Sequence, residues 1–154
     1  MRRVIRGGLL AGVLAAGCSD SSGPDAGIPA DLVGEWMANS ACAPPCAFSL
    51  TWKANPQARL DAIATLGLAL NMEIGANGRF VFGFSPGSTP PAGRVRVNGQ
   101  LLIVTDSEGV VDTIDYRWEG NALRLDFRRE FKVVSFDADT VKDASSAAAV
   151  FVRR

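Results

Sequence analysis

The chain has 154 residues, with 16 basic and 16 acidic side chains and a formal net charge of +0. It contains no histidine, which excludes the Ser–His–Asp triad, the Cys–His pair and histidine-ligated zinc. A hydrophobic content of 47% and an aromatic content of 8% suffice for one packed domain and argue against global disorder.

Residues 1–18 read MRRVIRGGLLAGVLAAGC. Arg2, Arg3 and Arg6 make a positive head, and Gly7 to Ala16 is an uncharged apolar run. As a helix that run spans about 15 Å, half of a bilayer core, so it reads as a secretory signal and not as a transmembrane anchor. The segment Leu14-Ala15-Ala16-Gly17-Cys18 resembles the lipobox of bacterial lipoproteins. That resemblance implies cleavage after Gly17, a diacylglycerol on the Cys18 sulfur and acylation of the new amino group. An ordinary secreted protein with a chance cysteine is the plainer alternative. Two or more acyl chains anchor a protein firmly where one does not.

Ser19 to Ala30 (SDSSGPDAGIPA) has the composition of a flexible tether, with a mean reach of roughly 20 Å. Loss of Arg2, Arg3 and Arg6 with the signal leaves 13 basic against 16 acidic groups, a net charge of −3. That mildly acidic charge offers no footprint for nucleic acid or anionic headgroups, so lipid and not charge is expected to hold the protein to the membrane. Ser19 follows the cysteine where an aspartate retains some lipoproteins in the inner membrane. The expected location is therefore the bacterial outer membrane, facing the periplasm. The expected division is a signal peptide over 1–17, lipidated Cys18 and tether over 18–30, and one domain over 31–154.

Cys42 and Cys46 flank Ala43-Pro44-Pro45. In an oxidising compartment they read as a disulfide staple. A thioredoxin-type site needs two intervening residues, and two thiolates without histidine leave zinc half-coordinated.

From Asp31 onward the dominant period is two. Strands are expected over 32–38, 48–53, from Leu68 to Ile74, around Phe80, Phe82 and Phe84, and as hairpins about Asn98-Gly99 and Glu119-Gly120. Two further strands are expected over 131–136 and 147–153. As the two residues of a type I′ turn, Asn98-Gly99 would pair Val97 with Gln100 and Val95 with Leu102. Val95, Val97, Leu102 and Val104 then share one face, and Arg94 and Arg96 cover Leu101 and Ile103 on the other. Ile114, Tyr116, Trp118, Leu123, Leu125 and Phe127 share a face in the next hairpin. One segment breaks the period. Asn55 as N-cap, Pro56 in the first turn and Gly67 as terminator predict a helix over 56–66. Nine or ten short strands with one short helix argue for an all-β antiparallel sandwich or up-and-down barrel and against crossover α/β units.

The opening Leu32-Val33-Gly34-Glu35-Trp36 resembles the first strand of lipocalins and of small bacterial lipocalin-like lipoproteins. The resemblance implies a closed, calycin-type barrel. In it Gly34 permits a tight entry, Trp36 plugs one end, and Arg153 or Arg154 packs on the indole. The proline-bounded helix and the cysteine loop depart from that family and leave the strand order before residue 68 open.

Asp137, Asp139 and Asp143 weigh as a solvated acidic loop against a calcium site, because EF-hand spacing fails. Arg128-Arg129 reads as a solvated edge. No hydrolase elbow, phosphate loop or dinucleotide fingerprint appears, so no catalytic residue, cofactor or metal is expected and the protein reads as a non-enzyme. An eight-stranded barrel has room for side chains or one small ligand. Met72, Phe80, Phe82, Phe84, Tyr116 and Trp118 are the residues expected to fill or line it, with the 56–66 helix as a lid. The functional expectation is a monomeric, lipid-anchored envelope module, binding a small apolar ligand or acting structurally, without nucleic acid. The runner-up is a periplasmic protease inhibitor of the small-barrel type.

Overall fold

A computed structural model describes residues 27–42, 46–85, 87, 90–132, 134–137 and 141–154. The signal segment, Cys18, most of the tether and Asp139 lie outside the described residues. The fold is all-β. Its strands are β1 (Gly34–Ala38), β2 (Ala47–Trp52), β3 (Arg59–Asp61), β4 (Ala69–Ile74), β5 (Arg79–Ser85), β6 (Gly93–Asn98), β7 (Leu101–Thr105), β8 (Val111–Glu119), β9 (Ala122–Phe131) and β10 (Ser145–Arg153). One short helix, α1 (Ala62–Leu66), separates β3 from β4.

Every ladder is antiparallel, and β1 pairs with both β4 and β10, so eight strands close into a lipocalin-like barrel. The remaining two strands extend the wall. β2 pairs with β10 from Ser145↔Trp52 to Val150↔Ala47, and β1 takes up the same edge at Met37↔Val152 and Trp36↔Arg153. β1 and β2 therefore lie end to end against one long strand, the chain leaving the wall after Ala38 and rejoining it at Ala47. The Cys42–Cys46 disulfide, with its Cα atoms 6.0 Å apart, closes that excursion. β3 pairs with β2 as β4 pairs with β1, so α1 interrupts the second wall strand as the disulfide loop interrupts the first.

Alternation decides which side chains go in. Leu70, Met72 and Ile74 of β4 are buried, and so are Val95, Leu102, Val104, Leu123, Leu125, Ala147, Ala149 and Phe151. Among the described residues the buried core runs from Leu32 to Phe151, with Ile28 packed against it.

Three expectations need correction. The helix does not begin at Pro56. Asn55 instead closes a turn, its Oδ1 accepting from the Gln57 N–H at 3.2 Å and its carbonyl from the Ala58 N–H at 2.9 Å. Residues 59–61 are then drawn onto β2 as a strand, and Asp61 becomes the cap, accepting from the Ile63 and Ala64 N–H groups at 3.0 and 3.3 Å. Gly67 ends the helix in a left-handed conformation, φ 63°. Second, no separate strand begins at Phe131: β9 itself runs on through Phe131, and the described residues 132 and 134–136 are not in a strand.

Third, both tight hairpins turn one residue later than expected. Asn98 pairs with Leu101 and Glu119 with Ala122, so the loops are Gly99-Gln100 and Gly120-Asn121. Each glycine takes the first loop position, with φ of 56° and 63°, the conformation that an L side chain resists. The shift moves each partner by two residues, so Val95 faces Val104 and not Leu102. Parity is kept, and the inward faces remain those expected from the period.

Candidate functional site

The two ends of the barrel differ. One end is sealed around Trp36, which is 2% exposed. Its indole N–H donates to the Leu32 carbonyl at 3.0 Å, and Leu32 is itself fully buried. The Arg153 guanidinium lies over the indole, 4.8 Å from the ring centroid, and its Nη2 donates to the Asp31 carbonyl. Arg154 reaches Glu35 instead. Gly34 precedes this contact with φ 148°, a backbone state suited to glycine. Trp118 tilts against Trp36 with centroids 5.7 Å apart. Tyr116 donates its hydroxyl to the Gly99 carbonyl at 3.0 Å, and burial pushes its phenol pKa up.

The opposite end holds a cavity of about 230 Å³. Its origin lies in one incomplete ladder. β6 meets β5 only at Arg79↔Arg94 and Phe80↔Gly93, so residues 81–85 have no partner strand on that side. Pro90 and Pro91 run there instead, and proline has no N–H to extend the ladder. The approach is close: a Cβ on Gly83 would stand 3.0 Å from the Pro90 Cδ. Phe80, Phe82 and Phe84 of β5 line one wall beside these prolines, and Val104, Ile114, Phe127 and Phe131 line the other. The aromatic rings meet edge to face: Phe82 with Phe84 at 5.3 Å, and Phe127 with Phe131 at 5.5 Å. Such tilted contacts fix ring positions around the space.

Polar groups stand at the rim. Asp112 and Arg129 lie just beyond the last β8–β9 pair, Ile114↔Phe127, at the cavity's edge. Both line the cavity, and they form an ion pair at 2.9 Å. The Arg129 guanidinium also sits 5.3 Å from the Phe131 centroid. The Asp106 carboxylate is occupied by the Glu108 and Val110 N–H groups at 2.8 and 2.9 Å.

Of the six residues expected at a cavity, Phe80, Phe82 and Phe84 come together there. Met72 is packed in the wall beside Trp36, and Tyr116 and Trp118 belong to the sealed end. α1 lines no part of the cavity; it packs on β2 and β3 with Ala62 and Ile63 buried. Sequence reasoning missed Val104, Phe131, Asp112 and Arg129 as lining residues. The signal was present in the hairpin alternation, which extends from Ile114 and Phe127 by one inward position to Asp112 and Arg129.

The outer face of β8–β9 is salt-bridged: Arg128 grips Asp115 at 2.6 and 2.7 Å, and Arg124 and Arg117 share Asp126. The Arg128 guanidinium holds the Asp115 carboxyl below its ordinary pKa, and Lys53 does the same for Glu130. Asp143 accepts from the Phe136 N–H at 2.7 Å. Among the described residues no group of three or more Cys, Asp or Glu side chains is arranged to hold a metal ion. No protein-family model, curated protein or solved structure matches the chain.

Proposed function

We propose that the protein is a non-enzymatic, lipid-anchored module of the bacterial cell envelope whose barrel takes up one small apolar ligand at its open end. The observation that carries the ligand half is the aromatic cavity lined by Phe80, Phe82, Phe84, Phe127 and Phe131, sited where the β5–β6 ladder stops. Its size selects the ligand. About 230 Å³ exceeds the roughly 150 Å³ void that accepts benzene and falls below the roughly 300 Å³ of drug-sized sites. A one- or two-ring aromatic body, or a short branched chain, is the fitting class. Asp112 and Arg129 offer one acceptor and one donor to a small neutral polar end. The anchor half rests on the lipobox-like segment ending at Cys18, and Ser19 in place of a retaining aspartate supports outer-membrane placement.

The ligand half is tested with 1-aminonaphthalene, a neutral two-ring fluorescent probe, on the chain from Ser19 onward. The expectation is saturable enhancement with a Kd on the order of micromolar. Ile114→Trp, which fills the cavity, abolishes it, and Arg124→Gln on the outer face leaves it intact. Linear, non-saturating fluorescence contradicts the reading. The anchor half is tested separately by the mass of the protein recovered from bacterial membranes, with and without Cys18→Ala.

A further inference from the structure

We infer that the outer face of β6–β7 is the side the barrel turns toward its own bilayer, with Arg94 and Arg96 set against anionic phospholipid headgroups. The inference rests on the N-terminal anchor proposed above. Arg94, Arg96 and Asn98 lie opposite Thr105, Ile103 and Leu101, all on the outward side of the two strands. Both arginines are exposed, while Leu101 and Ile103 are half-buried beneath them. Arg79, directly opposed to Arg94 across the β5–β6 ladder, adds a third cation that Glu73 neutralises. Among the described residues, neither Arg94 nor Arg96 has a carboxylate within ion-pair distance. The contrast with β8–β9 is plain, since Arg117, Arg124, Arg128 and Arg129 are each paired there. Among the described residues the carboxylates pair elsewhere and leave these two guanidinia without a partner.

The second observation is where the chain enters. Gly27 and Ile28 lie in a groove with Asn77, Arg94, Arg96 and Ile103. The path toward Cys18 therefore leaves the barrel beside the unpaired arginines. From Gly27 to Cys18 the chain spans at most about 32 Å when fully extended. An acyl anchor on so short a leash holds this face within a few Debye lengths of the membrane at physiological salt. Each arginine near an anionic surface favours contact roughly fivefold, so the pair biases orientation by roughly 30-fold once the anchor supplies the local concentration. Averaging the charge over the chain conceals this, because the field at a surface depends on the groups that face it.

The test holds the chain from Ser19 onward, with an N-terminal histidine tag, on vesicles through a nickel-chelating lipid. Every residue of the described core lies at or after Ile28, so this chain keeps all of it. Attachment is then independent of acylation, and a failed result indicts the face and not the anchor. Bimane is placed on Asn98→Cys or, on the far wall, on exposed Ser146→Cys, and quenched by a headgroup-nitroxide lipid. On vesicles containing phosphatidylglycerol, position 98 is expected to be quenched at least fivefold more than position 146. On pure phosphatidylcholine, or with Arg94→Gln and Arg96→Gln together, the ratio falls to near one. Equal quenching on anionic vesicles overturns the inference, as does an unchanged ratio in the double variant. Loss of contrast with inorganic phosphate but not with sulfate at equal ionic strength also overturns it, by pointing to a phosphate pocket in place of a surface.

Discussion

Replacing Trp36 by alanine tests how the sealed end holds the barrel together. The indole is 2% exposed and touches Trp118, Arg153 and the Leu32 carbonyl at once. Truncation of a buried tryptophan costs about 3–5 kcal/mol through lost transfer energy and the cavity left behind. The fully buried Leu32 carbonyl also loses its donor, which adds about 1 kcal/mol or more. The expected loss is about 4–6 kcal/mol, and the melting temperature followed by far-UV circular dichroism should fall by about 15 °C or more. Arg153→Gln alone removes the cation over the ring and costs about 1 kcal/mol. In the Trp36→Ala background the same substitution should cost measurably less, because only the contact to the Asp31 carbonyl is then lost. A Trp36→Ala shift of only a few degrees, or strictly additive effects of the two substitutions, would refute the reasoning.

Reduction of the Cys42–Cys46 staple, or Cys42→Ser with Cys46→Ser, should cost about 2 kcal/mol from loop-closure entropy, read as a lower urea midpoint at unchanged slope. Asp61→Ala should cost about 1 kcal/mol as a lost helix cap, while Asn55→Ala costs clearly less; the reverse order in urea unfolding would reinstate the longer helix. The Asp115 carboxyl titrates below its unfolded value, so its contribution is present above the unfolded pKa and is lost as pH falls through the folded one. Asp115→Asn should therefore flatten the fall in melting temperature below about pH 4 and leave the profile above pH 6 parallel to the parent. An unchanged acid limb would show that the Arg128 pair does not survive in solution.

The sequence is most legible where a local rule and a tertiary one agree. β4, β5 and their Gly75–Gly78 turn follow from strict alternation and a turn signal, because the same residues that alternate also face the core. The tight hairpins show the limit of such reading. Asn-Gly and Glu-Gly mark the turn, yet which loop position the glycine takes decides the register, and dipeptide identity alone does not fix that. Arg59–Asp61 shows tertiary pairing overriding local preference: Asn55-Pro56 suits a helix start as well as a turn, and the free edge of β2 selects the turn. The cavity was only half legible. Alternation puts Phe80, Phe82 and Phe84 inside, but their exposure to a void depends on β6 pairing with two residues of β5, a long-range fact with no local mark. Tyr116 and Trp118 share that inward face with Ile114 and differ only in lying nearer the sealed end.

The most direct test of ligand binding is site-resolved. Methyl resonances of isotopically labelled protein, from Ser19 onward, can be followed as indole is added. The account predicts saturable shifts of Val104 and Ile114 with one shared Kd, while Leu32, Leu50 and Ile63 stay fixed. Shifts spread evenly over all these methyls, or none at Val104 and Ile114 up to the solubility limit, would contradict it.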